Sequence, residues 1–207
     1  MSCCAQPNCE LLIVNCYRVN ELFYTLQGEG YHTGRAAVFV RMAGCNLRCP
    51  FCDTQFDSYQ PMTASDIVAA ACHHPSRFVV LTGGEPTLQV DSSLVDALHA
   101  EGFFVAMESN GTRPAPDNLD WLTVSPKGTV AVDRCDEVKL VFTKAMADDF
   151  TLVDAQSLPA ASHHFLQPCD TGHAAANVYI INRCIAYILQ HPQWRLSLQT
   201  HKLVGFK

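Results

Sequence analysis

Apolar residues recur along this chain in two rhythms. From about residue 36 onward, short runs that are almost continuously apolar alternate with longer stretches whose apolar positions fall at helical spacing. The runs Ala36–Met42, Phe78–Thr82, Phe103–Glu108, Trp121–Ser125, Glu137–Thr143 and His163–Gln167 predict six strands. Near-continuous apolarity is what parallel strands covered on both faces show. Thr63-Ala-Ser-Asp predicts a helix start running through Ala71, and Asp91-Ser-Ser a second start, ended at Gly102 by a left-handed cap. A third helix is predicted over Ala145–Ala155 and a fourth, the longest, over Ala174–Gln190.

Strand, helix, strand in this order implies right-handed crossovers and a parallel sheet. A full eight-unit barrel takes about 250 residues. Six strands in 207 residues therefore predict an α/β fold in one domain, an incomplete and laterally open barrel of about six parallel strands. A flat, doubly wound sheet is the competing architecture. The glycine-rich and polar segments follow strand ends: GCNLRCPFCDT after the first strand, GGEP after the second, SNGT after the third, PKG after the fourth and PCD after the sixth. Parallel α/β folds build their sites at the C-terminal ends of strands, so these five segments are expected at one mouth.

Composition narrows the chemistry. Hydrophobic residues make up 48% and charged residues 16%, enough apolar material for a sizeable core. The net charge of −6, without a Lys/Arg cluster, disfavours a nucleic-acid partner. The start MSCCAQPNCELLIVN lacks the pattern of a secretory leader and no segment is long enough to span a bilayer, so no membrane and a cytoplasmic location are expected. Eleven cysteines, an odd count without an export signal, favour reduced thiols and metal ligation over a disulfide framework. Cys3, Cys4, Cys9 and Cys16 have no ligand spacing, and Cys72 and Cys169 read as packed thiols.

Cys45, Cys49 and Cys52 form C-x3-C-x2-C directly after an apolar strand. Three thiolates so close together can hold three corners of a cubane iron–sulfur cluster, and the fourth iron is left for an exchangeable ligand. The alternative is a zinc site, which prefers four closed ligands, with His32 the nearest upstream histidine, or a small interaction module built on it. Phe51 could shield a cluster or stack on a ligand ring.

The cysteine loop, its aromatic before the last cysteine and Gly83-Gly84-Glu85-Pro86 resemble the radical S-adenosylmethionine (SAM) superfamily. The block Tyr17 to Gly30 with its TLQGEG, Cys52-Asp53-Thr54 and the terminal Leu198 to Leu203 are similar to one branch, the 7-carboxy-7-deazaguanine synthase family, leaving residues 1–16 as an N-terminal extension.

The resemblance implies a 4Fe–4S cluster on the three cysteines, SAM and Mg2+. It places Gly83, Gly84, Glu85, Glu108, Asn110, Ser125, Pro126, Lys127, Gln167, Pro168, Cys169 and Asp170 at SAM, with Glu85 offsetting its ammonium. It places Leu26, Gln27, Gly28, Glu29, Arg41, Thr82, His201 and Lys207 at a pterin substrate, with the Arg41 fork toward its carboxylate. Thr54 is the implied Mg2+ contact, Glu108 the candidate proton acceptor, and His201 with Lys202 either closes over the substrate or forms a tail strand without function. The implied reaction is a radical ring contraction of 6-carboxy-5,6,7,8-tetrahydropterin to 7-carboxy-7-deazaguanine with loss of ammonia. An electron donor such as flavodoxin and a homodimer are implied partners. The rival within the superfamily is a glycyl-radical activating enzyme, whose relatives carry a DGPG-like block where this chain has Gln27-Gly28-Glu29-Gly30.

Overall fold

A computed structural model describes residues 16–207; Cys3, Cys4 and Cys9 lie outside the described residues. In chain order the elements are β1 (Cys16–Leu26), β2 (Ala36–Met42), β3 (Gln60–Thr63), α1 (Ala64–Cys72), β4 (Phe78–Gly83), α2 (Ser92–Ala100), β5 (Phe104–Ser109), β6 (Trp121–Val124), β7 (Arg134–Phe142), α3 (Lys144–Asp148), α4 (Thr151–Asp154), β8 (Ala160–Pro168), α5 (Ala174–Gln190), β9 (Arg195–Leu196) and α6 (Thr200–Val204). They form one sheet in the order β3-β1-β2-β4-β5-β6-β7-β8-β9. From β2 to β9 every neighbour is parallel, whereas β1 is antiparallel to both β2 and β3.

All six strands expected from the apolar runs are present, and three more join them. β1 was not among the expected strands; its start alternates in burial, with Tyr17 and Val19 buried and Cys16 and Arg18 exposed. The helix starts also hold: Thr63 accepts from the Asp66 N–H while Asp66 accepts from the Thr63 N–H, a reciprocal capping box, and Asp91 caps α2. The single helix expected over Ala145–Ala155 is instead two short ones. Asp149 leaves helical geometry and its carboxylate accepts from the Thr151 N–H, which restarts the chain. The tail is not a strand: Thr200–Val204 is the helical turn α6.

Side-chain alternation decides between the two architectures. Residues in register across parallel strands face the same side of a sheet, and Glu108 pairs with Thr123, Thr123 with Glu137, and Glu137 with His163. The opposite side carries Val38, Val40, Val79, Leu81, Val105 and Met107 against α1 and α2, and Val138, Leu140 and Phe142 against α3, α4 and α5. α1 to α5 thus pack on one side only. Ala37, Phe39, Phe78, Val80 and Ala106 form a separate cluster on the other, concave side. This is an open barrel and not a doubly wound sheet. A doubly wound sheet would need helices on both faces.

The loop after β1 fills that hollow from below. His32 packs on Phe78, Phe104 and Trp121, at the starts of β4, β5 and β6, with ring centroids 5.0, 5.9 and 4.6 Å away. Truncating Leu81, fully buried in the middle of β4, to alanine is expected to cost about 2–5 kcal/mol in a urea titration.

Candidate active site at the mouth of the open barrel

Along the inner face, small and apolar residues give way to polar ones toward the strand ends. Ala37 and Phe39 lead to Arg41 on β2, Phe78 and Val80 to Thr82 on β4, and Ala106 to Glu108 on β5. On β7 and β8, Lys139 and Gln167 lie farther along the same inner face, beyond Glu137 and His163, which are level with Glu108. Arg41, Thr82, Glu108, Lys139 and Gln167 border one cavity of about 550 Å³, a size suited to a small organic ligand.

The three cysteines border the same cavity from the loop after β2. All are free thiols, and Phe51 and Thr54 line the wall beside them. Burial raises the Cys49 thiol, its two sister sulfurs adding to this and Lys127 opposing it, so metal ligation there would release a proton. Among the described residues, no three His, Cys, Asp or Glu side chains are arranged around a single metal ion. His32 belongs to the aromatic floor and not to the cysteine loop, so it is no fourth ligand.

The glycines after β4 are explained by close approach. A Cβ on Gly84 would lie 2.1 Å from the Gly44 carbonyl oxygen and 2.9 Å from Cys45 Cβ, and one on Gly83, whose φ is +143°, would strike Met42. The Gly84 N–H donates to Met42 O and the Glu85 N–H to Gly44 O, fastening the cysteine loop to the end of β4. Three free sulfurs on a cavity wall, with glycine backbone directly beneath, fit an iron–sulfur cluster.

Most of the expected ligand residues line the cavity: Leu26, Gln27, Gly28, Glu29, Arg41, Thr82, Gly83, Gly84, Glu108, Asn110, Ser125, Lys127, Gln167, Pro168, Cys169, Asp170, His201 and Lys207, together with Thr54. Two expected residues do not. Pro126 is not on the wall, and Glu85 is a buried clasp with no exposed surface. Its carboxylate accepts from the Thr87 N–H and hydroxyl, the Ser109 hydroxyl and the Asn110 N–H at 2.7–3.0 Å. Three of these donors meet Oε1 and one meets Oε2, so Glu85 ties β4 to β5 from a buried position. Cys169 sits on the wall, so the plain packed-thiol reading does not describe it.

The motif search missed Lys139 and Glu137. The Lys139 ammonium donates to Glu29 Oε2 at 2.6 Å and to Glu108 Oε2 at 2.7 Å. Burial works against both charges, yet the opposed charges win: Lys139 stays protonated far above its ordinary range and Glu29 stays ionised below its own. Glu137, at 2% exposure, behaves differently. Burial pushes its carboxyl up to about 7, against the pull of Lys139 and of the Tyr31 N–H. A lysine in the run Val138-Lys139-Leu140-Val141-Phe142 was the available signal, since a buried ammonium requires partners. Burial also brings Lys127 down to about 8, with Lys139 adding to the effect.

The QGEG loop and the C-terminal segment are fitted to each other. A Cβ on Gly28 would lie 2.5 Å from His201 Nδ1, and one on Gly30, at φ +66°, would lie 2.1 Å from Glu137 Oε1. The Thr200 N–H and hydroxyl both donate to Gly28 O, and Gln199 donates to Glu29. Lys202 bridges Asp53 and Asp170 at 2.6 and 2.9 Å, and Lys207 reaches Glu21, which also holds Arg41. Asp53 beside Thr54 is therefore already paired.

Two outcomes follow for the isolated chain. Gly84→Ala should push the cysteine loop off β4, so iron retained after anaerobic reconstitution falls several-fold while helix content is kept. For Glu137, the unfolded chain releases its proton near 4.5 and the folded chain near 7, so stability present at low pH is lost as pH rises through that window. Between pH 5 and 8 the native chain should lose roughly 2 kcal/mol relative to Glu137→Gln in urea titrations; parallel pH slopes would contradict this.

Comparison with known proteins agrees with this geometry. The radical SAM superfamily matches residues 39–133. A 7-carboxy-7-deazaguanine synthase from Bacteroides thetaiotaomicron is 47% identical over 192 residues, covering 92% of this chain and 98% of the relative. One from Bordetella pertussis is 47% identical over 213 residues, covering 91% and 98%. The crystal structure of QueE from Escherichia coli has a TM-score of 0.72 at 30% identity and covers 90% of this chain and 95% of that one. The chain, with its open barrel and its cysteine loop at the mouth, belongs to the 7-carboxy-7-deazaguanine synthase family of radical SAM enzymes.

Proposed function

We propose that this chain converts 6-carboxy-5,6,7,8-tetrahydropterin to 7-carboxy-7-deazaguanine with loss of ammonia, in 7-deazapurine and queuosine biosynthesis. What carries the reading is the meeting of Cys45, Cys49 and Cys52 with the QGEG loop and Arg41 on one cavity. When bound, the 4Fe–4S cluster and SAM supply a one-electron cleavage that yields a carbon radical able to take hydrogen from the substrate.

The residues of the chain bind and orient. Gly83, Gly84, Asn110, Ser125, Lys127, Gln167, Pro168, Cys169 and Asp170 form the SAM wall, with Pro126 between Ser125 and Lys127. Glu85 acts there through Ser109 and Asn110, which it holds. Leu26, Gln27, Gly28, Glu29, Thr82, His201 and Lys207 form the pterin wall. Arg41 spends its Nε on Glu21, which leaves the terminal guanidinium nitrogens for the substrate carboxylate. The Thr54 hydroxyl would hold a Mg2+ ion, which would help orient the substrate's oxygens. Glu108, bonded to the Lys139 ammonium, accepts a proton from the substrate. A small reducing protein such as flavodoxin supplies the electron, the active form is a homodimer, and the enzyme is cytoplasmic.

Anaerobic incubation of the brown, reconstituted protein with SAM, dithionite and the pterin should give a product lighter than the substrate by one ammonia. Cys49→Ser should lose both colour and product. A colourless zinc protein, or unchanged pterin beside cleaved SAM, would overturn the reading. Arg41→Ala should raise KM for the pterin about 10- to 100-fold, the usual effect of losing a hydrogen-bonded charge.

A further inference from the structure

Lys139 enters the cavity wall without belonging to any motif. It lies on the inner face of β7 at 3% exposure, between a carboxylate from the loop after β1 and one from the end of β5. The remaining oxygens are held by amides: Glu108 Oε1 accepts from Gln27 at 2.8 Å, and Glu29 Oε1 from Gln199 at 3.0 Å. Glu108 thus has one donor on each oxygen, and Glu29 has the Gln167 amide as a further donor beside Lys139 and Gln199. A carboxylate oxygen can take two, so both groups keep capacity toward the cavity they border.

Two carboxylates this close in a poorly hydrated wall do not both stay ionised unaided, because each raises the other's affinity for a proton. The other charged groups around the cluster are Glu137, next but one on β7, and Lys127 from the loop after β6. Glu137 adds negative charge when ionised and Lys127 stands farther off, bonded to Ser125, so neither substitutes for the direct contact. Gln27, Gln167 and Gln199 orient the carboxylates but carry no charge.

We propose that Lys139 is a positioning residue for the reaction, one that keeps Glu29 and Glu108 ionised together and fixes where their free lone pairs meet the substrate. This rests on the pterin reading of the cavity. A single ammonium serves two carboxylates contributed by distant parts of the chain, so one substitution alters both at once. Glu29 then presents a fixed acceptor to ring N–H groups, and Glu108 a fixed base to a carbon-bound proton. That proton moves to the Glu108 carboxylate and returns to the departing nitrogen, so no outside acid or base is consumed.

The test uses the full-length chain labelled with 13C at the side-chain carboxyls of its seven glutamates, with signals assigned through Glu29→Gln and Glu108→Gln. In Lys139→Met, one of the two carboxyls should titrate about one to three pH units above its position in the native chain. The acid limb of kcat/KM for the pterin should move up with it. Lys139→Arg should keep the native titration, because the charge is retained, but show a lower kcat, because the guanidinium cannot copy both contacts. A purely structural lysine predicts equal damage in both variants and no shift of the acid limb. If Lys139→Met does not fold, Lys139→Met/Glu29→Gln removes one charge of each sign and Glu108 becomes the reporter. Unchanged titration of Glu29 and Glu108, or native kinetics in Lys139→Met, overturns the proposal. Failure of the native chain to convert the pterin would instead remove the functional reading, while the titrations still show what Lys139 does to its partners.

Discussion

A buried ammonium cannot stand alone, and in this chain that constraint organises the centre of the barrel. Lys139 sits buried on β7 between Val138 and Leu140, so its charge must be met by groups brought from elsewhere. The loop after β1 supplies Glu29, and the end of β5 supplies Glu108. Gln199, just ahead of α6, fastens the C-terminal segment to the same cluster. Three parts of the chain that are remote in sequence thereby meet on the inner face, opposite α1 to α5. The surplus carboxyl, Glu137, has no second ammonium, and burial keeps it near neutrality in its titration.

A second constraint places the cysteine loop. β2 and β4 end side by side, and the register that pairs Met42 with Gly83 brings Gly44 and Cys45 onto Gly84. Only hydrogen fits between them. Glu85 then turns away from the cavity and holds Ser109 and Asn110, so the order cysteine loop, glycine pair, β5 end is set by packing and by hydrogen bonds within the protein. The ligand-facing surface is consequently backbone and small polar groups, fixed before anything binds.

How much of this was readable in the sequence follows from the kind of signal involved. Local signals were reliable: the apolar runs located six strands, Thr63 and Asp91 started their helices, and the motifs after strand ends fell on one mouth. Signals that depend on a distant partner were not. β1 alternates in burial and pairs only with strands later in the chain. One local signal also went unread, the Asp149 carboxylate that accepts from the Thr151 N–H and breaks α3 from α4. Glu85 looked free to meet a ligand because its four donors come from Thr87, Ser109 and Asn110. Lys139 was hidden in a run read as apolar, though its two-residue offset from the inward-facing Glu137 already set its direction.

At the centre of the account are three sulfurs from one short loop that leave a corner of an iron–sulfur cube open toward the cavity. Mössbauer spectroscopy on protein reconstituted with isotopically enriched iron, before and after SAM is added, measures this directly. One iron site should change its isomer shift on addition while the other three keep theirs. Four sites that all ignore SAM, or protein that takes up no iron and sulfide at all, would contradict it.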